Sequence, residues 1–131
     1  MSRGAALVLC LAAVACARGT EYPVTLEVRD GWVREPGAEC AGSRPFLFAH
    51  RDAPFRVETP RGASVASGEL PAGTAVEALR QEVGAPRVPT FCRFRFSLSL
   101  PGRGRYRFEL EGGVHPLELV AGRGPVTLII P

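Results

Sequence analysis

Few side chains in this sequence have the types and spacing needed for acid–base or metal chemistry. His50 and Asp52 are two positions apart, so on a strand they would share a face and orient one another or ligate a metal. The alternative is a polar strand end followed by the turn at Ala53–Pro54. His115 precedes a proline where a strand begins, and we expect it to be exposed to solvent.

Two carboxylates near the carboxyl end form a second candidate. Glu109 and Glu111 share one face of a predicted strand, and paired carboxylates can perform general acid–base catalysis. We expect Arg93 and Arg95 to lie opposite them, which favours an ordinary cross-strand ion-pair ladder. No serine lies in a G-x-S-x-G motif, and no glycine-rich segment leads into a helix that would cradle phosphate. We therefore predict no catalytic residue, no cofactor and no metal.

The four cysteines divide between the amino-terminal segment and the rest of the chain. Cys10 and Cys16 lie within the first 17 residues, whereas Cys40 and Cys92 are 52 positions apart. A zinc site needs more ligands at short spacing, such as C-x-x-C, and none occurs. In an oxidising compartment a single remaining pair predicts a structural disulfide between Cys40 and Cys92.

The first 17 residues have the pattern of a secretory signal. Arg3 supplies a positive charge, the stretch Ala5–Ala17 is small and apolar, and Arg18–Glu21 ends it. Cleavage after Ala17 would release the chain as a secreted protein. The alternative is a bacterial lipobox, Ala13-Val14-Ala15-Cys16, in which Cys16 would be lipidated. Residues 1–17 are predicted to be the signal and residues 22–131 a single domain.

That domain is predicted to be an all-β antiparallel sandwich of about seven strands, immunoglobulin-like or prealbumin-like, with one disulfide. Apolar and polar residues alternate from Val24 to Arg29 and from Phe55 to Glu58, and turn residues recur about every ten positions. The segment Thr74–Val83 departs from this alternation. Its apolar residues have helical spacing after a capping-box pattern, which predicts a short helix or a long connecting loop.

The clearest alternation surrounds the turn Pro101–Gly104. Apolar residues alternate with polar ones from Cys92 to Leu100 and again from Arg105 to Glu111, which predicts a hairpin with one buried face. Its polar face would display five arginines as a candidate binding patch: Arg93, Arg95, Arg103, Arg105 and Arg107. The alternative is a solvated face that the glutamates balance.

Composition limits the range of partners. The 131 residues carry 16 basic and 13 acidic side chains, and this small net charge of +3 does not favour nucleic acid. Every basic residue is arginine, and lysine and asparagine are absent, a bias typical of GC-rich bacterial genomes. No apolar run approaches the roughly 20 residues that a membrane-spanning helix needs. We therefore expect contact with a membrane only through a lipid anchor.

Several segments together resemble a small exported domain found in hypothetical proteins of GC-rich Gram-positive bacteria. The similarity covers Cys40 to about Leu119 and rests on the segments Cys40–Gly42, Ala53–Val57, Ser67–Leu70, Cys92–Phe94 and Tyr106–Phe108. The resemblance implies a disulfide-bonded β-sandwich and carries over no catalytic residue. The chain departs from the family pattern at Pro54, where glycine is typical, and in a longer insert, Thr74–Thr90, which leaves the strand order open.

The sequence thus favours a non-catalytic exported module that binds or supports something at the bacterial cell envelope. Its expected partner is an anionic envelope polymer or an envelope protein. One alternative is a structural subunit that pairs through an exposed edge strand, with Val126–Ile130 as the candidate strand. The other is a small metal-dependent enzyme that uses His50 and Asp52.

Overall fold

The structure is a computed structural model that describes residues 19–29, 32–78, 85–113 and 115–130. These residues form strands, turns and loops, with no helix among them and hence none able to cross a membrane. The predicted signal at residues 1–17, with Cys16, lies outside them. The strands are β1 (Thr20–Val28), β2 (Val33–Arg34), β3 (Glu39–Cys40), β4 (Pro54–Glu58), β5 (Ser64–Glu69), β6 (Gly73–Glu77), β7 (Val88–Leu100), β8 (Gly104–Leu110), β9 (Leu117–Ala121) and β10 (Val126–Ile130).

Two sheets pack face to face, which confirms the predicted β-sandwich. The larger sheet has the order β10-β1-β7-β6-β3. The short strand β2 also pairs with β7 but is not part of this order. The smaller sheet has the order β5-β4-β8-β9. β1 pairs antiparallel with β7 from Thr20↔Leu100 to Val28↔Cys92, and β10 pairs parallel with the second half of β1. The start of β1 and the end of β7 therefore lie at the same end of the sandwich.

The core lies between the sheets and follows from the alternation in the sequence. Each long strand buries every second side chain, as β1 does with Val24, Leu26 and Val28. At its centre three phenylalanine rings join the two sheets. Phe108 of β8 lies 5.2 Å from Phe55 of β4 and 5.9 Å from Phe96 of β7, measured between ring centroids.

The predicted disulfide is present, and it connects β3 to β7 within the larger sheet. The Cα atoms of Cys40 and Cys92 are 5.7 Å apart. β6 pairs with both strands, and Gly73 of β6 lies directly against the bridge. A Cβ atom at Gly73 would lie 2.5 Å from the Cys92 Sγ and 2.8 Å from the Phe94 ring. Only glycine leaves enough space there for the disulfide and the ring to pack.

The predicted carboxyl-terminal hairpin is wrong, because its two arms belong to different sheets. β7 pairs with β1 and β6, whereas β8 pairs with β4 and β9. The segment from Pro101 to Arg103 carries the chain from one sheet to the other. An alternating sequence shows that a strand has one buried face. It does not show which sheet the strand belongs to, because strands of both sheets bury their apolar face in the same core. The pattern therefore did not distinguish a hairpin from a crossing between sheets.

The helix considered for Thr74–Val83 is also wrong over the part that the structure describes. Thr74–Glu77 belongs to β6, which pairs with Phe91 and Cys92 of β7. Gly73 and Ala75 are buried while Thr74 is exposed, so the segment follows the two-residue period of a strand. Residues 79–84 lie outside the described part. Pairing with a long neighbouring strand overrides the local helical spacing here.

Candidate functional site

His50 and Asp52 lie in a turn rather than on a strand, so the predicted shared strand face is wrong. Asp52 has a φ of 64°, in the left-handed region that aspartate tolerates in turns. The His50 Nδ1 lies 2.6 Å from the carbonyl oxygen of Arg51 and donates a hydrogen bond to it. Within the described residues, no three histidine, cysteine, aspartate or glutamate side chains come together as a possible metal site.

Four of the five arginines of the predicted patch are divided between the two outer faces of the sandwich, and Arg103 lies in the connection between the sheets. Arg93 donates to Glu27 of β1 with Nε 2.8 Å from Oε1, on the larger sheet. On the smaller sheet Arg105 pairs with Glu118 of β9 at 2.8 Å and Arg107 pairs with Glu109 at 3.0 Å. The expected ladder of Arg93 and Arg95 opposite Glu109 and Glu111 is wrong. Arg93, Arg105 and Arg107 instead each pair with a glutamate of their own sheet.

Glu109 is held as a carboxylate by Arg56 of the neighbouring strand β4. Arg56 donates from Nε and Nη2 to the Glu109 Oε2 at 2.8 Å and 2.6 Å. This hydrogen bond, with the attraction of the Arg56 and Arg107 charges, holds the pKa of Glu109 below its usual value. Because the pKa of Glu109 is lower in the folded protein than in the unfolded chain, the Arg56–Glu109 pair stabilises the fold at pH values above the ordinary carboxyl range. This stabilisation is lost as the pH falls through the lowered pKa. Glu111 lies in the turn after β8, so the two glutamates do not share a strand.

An apolar pocket opens at the end of the sandwich where β8 ends and β9 begins. It has a volume of about 310 Å³. The strands supply its inner walls through Phe108 and Leu110 of β8, Leu117 of β9 and Ile130 of β10. We call this cavity the apolar pocket; its described lining is completed by Pro45, Phe46, Phe48, Gly113 and His115.

The outer wall of the apolar pocket comes from the loop between β3 and β4. The Gly42 N–H donates to the Ala49 carbonyl oxygen at 2.6 Å, which closes the loop on itself. Phe46 and Phe48 meet edge to face, with ring centroids 6.4 Å apart, and both remain half-buried. Leu47, between them, is 56% exposed. The loop therefore presents apolar side chains both to the pocket and to the surface beside its mouth.

His115 is exposed, as predicted, and it is the one titratable side chain among the described residues that line the apolar pocket. The sequence pattern did not indicate that His115 and the run Phe46–Phe48 come together. A signal was present, since three consecutive apolar residues between turn residues cannot all be buried by a strand period. Their convergence depends on the sheet assignment of β8 and β9, which the pattern did not supply.

No protein-family model, curated protein or solved structure matches this chain. The functional argument therefore rests on the sequence and on the geometry of the two sheets. The resemblance to exported domains of GC-rich Gram-positive bacteria stays a prediction carried by the residues quoted for it.

Proposed function

We propose that this chain is an exported, non-catalytic β-sandwich that binds an apolar group of a bacterial envelope component in the apolar pocket. The observation that carries the proposal is the pocket itself. Ligand sites in proteins are concave, mostly apolar and largely preformed, with volumes of about 300–1,000 Å³. At about 310 Å³ the pocket fits a small apolar group, such as part of an acyl chain or a large apolar side chain.

The inner walls support a preformed site because Phe108, Leu110, Leu117 and Ile130 belong to paired strands. Phe108 is fully buried and packs against Phe55, so its ring cannot rotate away from the pocket without disturbing the core. Leu117 and Ile130 lie at the ends of β9 and β10, where neighbouring strands hold the backbone. A ligand that enters would gain about 25 cal/mol for each Å² of apolar surface removed from water.

Export is supported by two independent features. The first is the signal pattern of residues 1–17, which would be cleaved after Ala17 or lipidated at Cys16. The second is the disulfide between Cys40 and Cys92, because disulfides persist chiefly in oxidising compartments outside the cytoplasm. The apolar pocket lies at the end of the sandwich opposite the start of β1. It would therefore stay open to an envelope partner whether the chain is secreted or anchored.

A fluorescent probe tests whether the apolar pocket binds. N-phenyl-1-naphthylamine is uncharged and apolar, and its emission rises when it leaves water. We expect Leu117→Trp to weaken its binding at least about tenfold, because the larger side chain would occupy the pocket. The matched control is Val120→Trp on the same strand, since Val120 faces outward and is 54% exposed.

Both variants add the same indole to β9, so a difference between them reports on the pocket alone. We expect the Val120→Trp protein to bind the probe within about twofold of the unmodified chain. Equal affinities for all three proteins, or no binding to the unmodified chain, would rule out the apolar pocket as the site.

One observation favours a second candidate function, a subunit that pairs through an edge strand. β10, formed by Val126–Ile130 as the sequence predicted, lies at the edge of the larger sheet, and Ile129 on its outer face is 45% exposed. An open edge strand offers unpaired backbone groups to another strand. Under this alternative a charge at Ile129, rather than Leu117→Trp, would reduce retention of the chain on envelope material.

A further inference from the structure

Three loops at one end of the sandwich each carry an exposed arginine beside a glycine. They connect β4 to β5, β7 to β8, and β9 to β10, and they contain Arg61, Arg103 and Arg123. The pairing register places them at the same end: β4 ends opposite the middle of β8, with its loop directed towards the start of β8, and β8 begins opposite the end of β9. We call this surface the arginine end.

Two of these arginines line one depression. Arg103 and Arg123 border a cavity of about 610 Å³, together with the glycines of their loops and the first residues of β1. Glu21 is the one acidic side chain among the described residues that line it. The three loops themselves contain no acidic residue. The arginine end is therefore a surface of predominantly positive charge.

The arginine end lacks counter-charges, in contrast to the arginines that form ion pairs on the strands; among the described residues it shares this lack with Arg44, Arg87 and Arg95. Arg93, Arg105 and Arg107 each lie within 3.0 Å of a glutamate oxygen on their own sheet. For Arg61, Arg103 and Arg123, no carboxylate of the described residues comes within ion-pair distance. Three guanidinium groups thus remain available to an anion from outside the domain.

In two of these loops, neither packing nor backbone conformation requires the residues Gly102, Gly122 and Gly124 to be glycine. A Cβ atom at Gly102, Gly122 or Gly124 would meet nothing within 4 Å, and none of the three has a φ in the left-handed region. Glycine also serves where the backbone must approach a ligand closely. Because these glycines carry no side chain, a broad and flat surface could approach the backbone of the loops and the neighbouring arginines closely.

The position of the amino terminus indicates which surface that is. β1 begins at the arginine end, and Cys16 precedes Gly19, the first described residue, by three positions in the sequence. Three residues span at most roughly 11 Å, which is close to the screening length of charges at physiological salt. A lipid attached at Cys16 would therefore hold the arginine end against the membrane surface and direct the apolar pocket away from it.

We infer that the arginine end binds the phosphate groups of anionic lipid headgroups. This inference rests on the proposed export of the chain to the cell envelope. A lipid surface fits better than free phosphate because the three arginines lie on separate loops, and only Arg103 and Arg123 share a depression. Each arginine near an anionic membrane surface strengthens binding roughly fivefold.

Vesicle sedimentation tests this with the unlipidated mature chain that begins at residue 18, so that any binding comes from the protein surface. The vesicles contain equal parts of phosphatidylglycerol and phosphatidylcholine, with pure phosphatidylcholine vesicles for comparison. We expect Arg61→Ser/Arg103→Ser/Arg123→Ser to lower the partition coefficient on the anionic vesicles at least tenfold. The charge-matched control is Arg44→Ser/Arg87→Ser/Arg95→Ser, which removes three exposed arginines from other parts of the surface and should cost less than about threefold.

Two results would overturn the inference: no preference of the unmodified chain for the anionic vesicles, or equal losses in the two triple variants. Inorganic phosphate is tested by calorimetry. If the unmodified chain bound phosphate but not vesicles, the ligand would be a free anion, and the inference that the arginine end binds lipid headgroups would be rejected. The naphthylamine probe separates this test from the proposed function. Both triple variants should bind the probe normally, because their substitutions lie outside the apolar pocket or, at Arg44, beside its wall.

Discussion

Replacing both Cys40 and Cys92 with alanine is expected to lower the free energy of unfolding by about 4 kcal/mol. The bridge closes a loop of 52 positions, and closing a loop of that length removes much of the entropy of the unfolded chain. The native state depends on it as well, because β3 is only two residues long and pairs with β6 alone among the strands. Urea denaturation of the oxidised protein and the double variant gives the difference directly.

Reduction of the unmodified protein provides the control for this prediction. The reduced chain keeps both sulfur atoms in the core, so it separates the loss of the covalent link from the loss of side-chain volume. We expect reduction to reproduce most of the loss seen in the double variant. A double variant within about 1 kcal/mol of the oxidised protein would show that the bridge contributes little to stability.

Phe108→Ala is expected to destabilise the domain by about 3–5 kcal/mol. Phe108 is fully buried, and its ring lies within 6 Å of both Phe55 and Phe96, so its removal opens a cavity between the two sheets. Thermal or urea unfolding measures the loss. The same ring lines the apolar pocket, so the variant protein should also have a larger and less well-defined binding cavity.

Val120→Ala is the control for this truncation. Val120 lies on β9 with its side chain directed away from the core, and substitutions at such positions usually change stability by less than about 0.5 kcal/mol. If Phe108→Ala cost no more than Val120→Ala, the packing between the sheets would not depend on the phenylalanine cluster.

The strands and the disulfide could be predicted because local patterns determine them. The two-residue alternation of β1 and β8 reflects one buried face for each strand, whichever strand lies beside it. The pairing of Cys40 with Cys92 required only that two cysteines remain outside the predicted signal. Neither inference needed knowledge of the sheet order.

The sheet assignment and the pocket could not be predicted, because they depend on contacts between distant segments. The alternation of β7 and β8 is the same in a hairpin as in a crossing between sheets. The five arginines were therefore assigned to one face, although they are divided between the two sheets and the connection that joins them. The helical spacing after Thr74 was overridden by pairing with β7. The apolar pocket combines two loops with residues of three strands, and no local pattern contains that information.

We expect the mature protein to be a folded, disulfide-bonded domain outside the cytoplasm, as the proposed role at the cell envelope requires. Its intact mass tests this most directly, measured on the full-length chain expressed in a GC-rich Gram-positive host and alkylated before and after reduction. We expect a chain that begins at residue 18, or at Cys16 with a diacylglycerol group, in which Cys40 and Cys92 react only after reduction. An uncut chain that begins at Met1, with both cysteines alkylated before reduction, would contradict it.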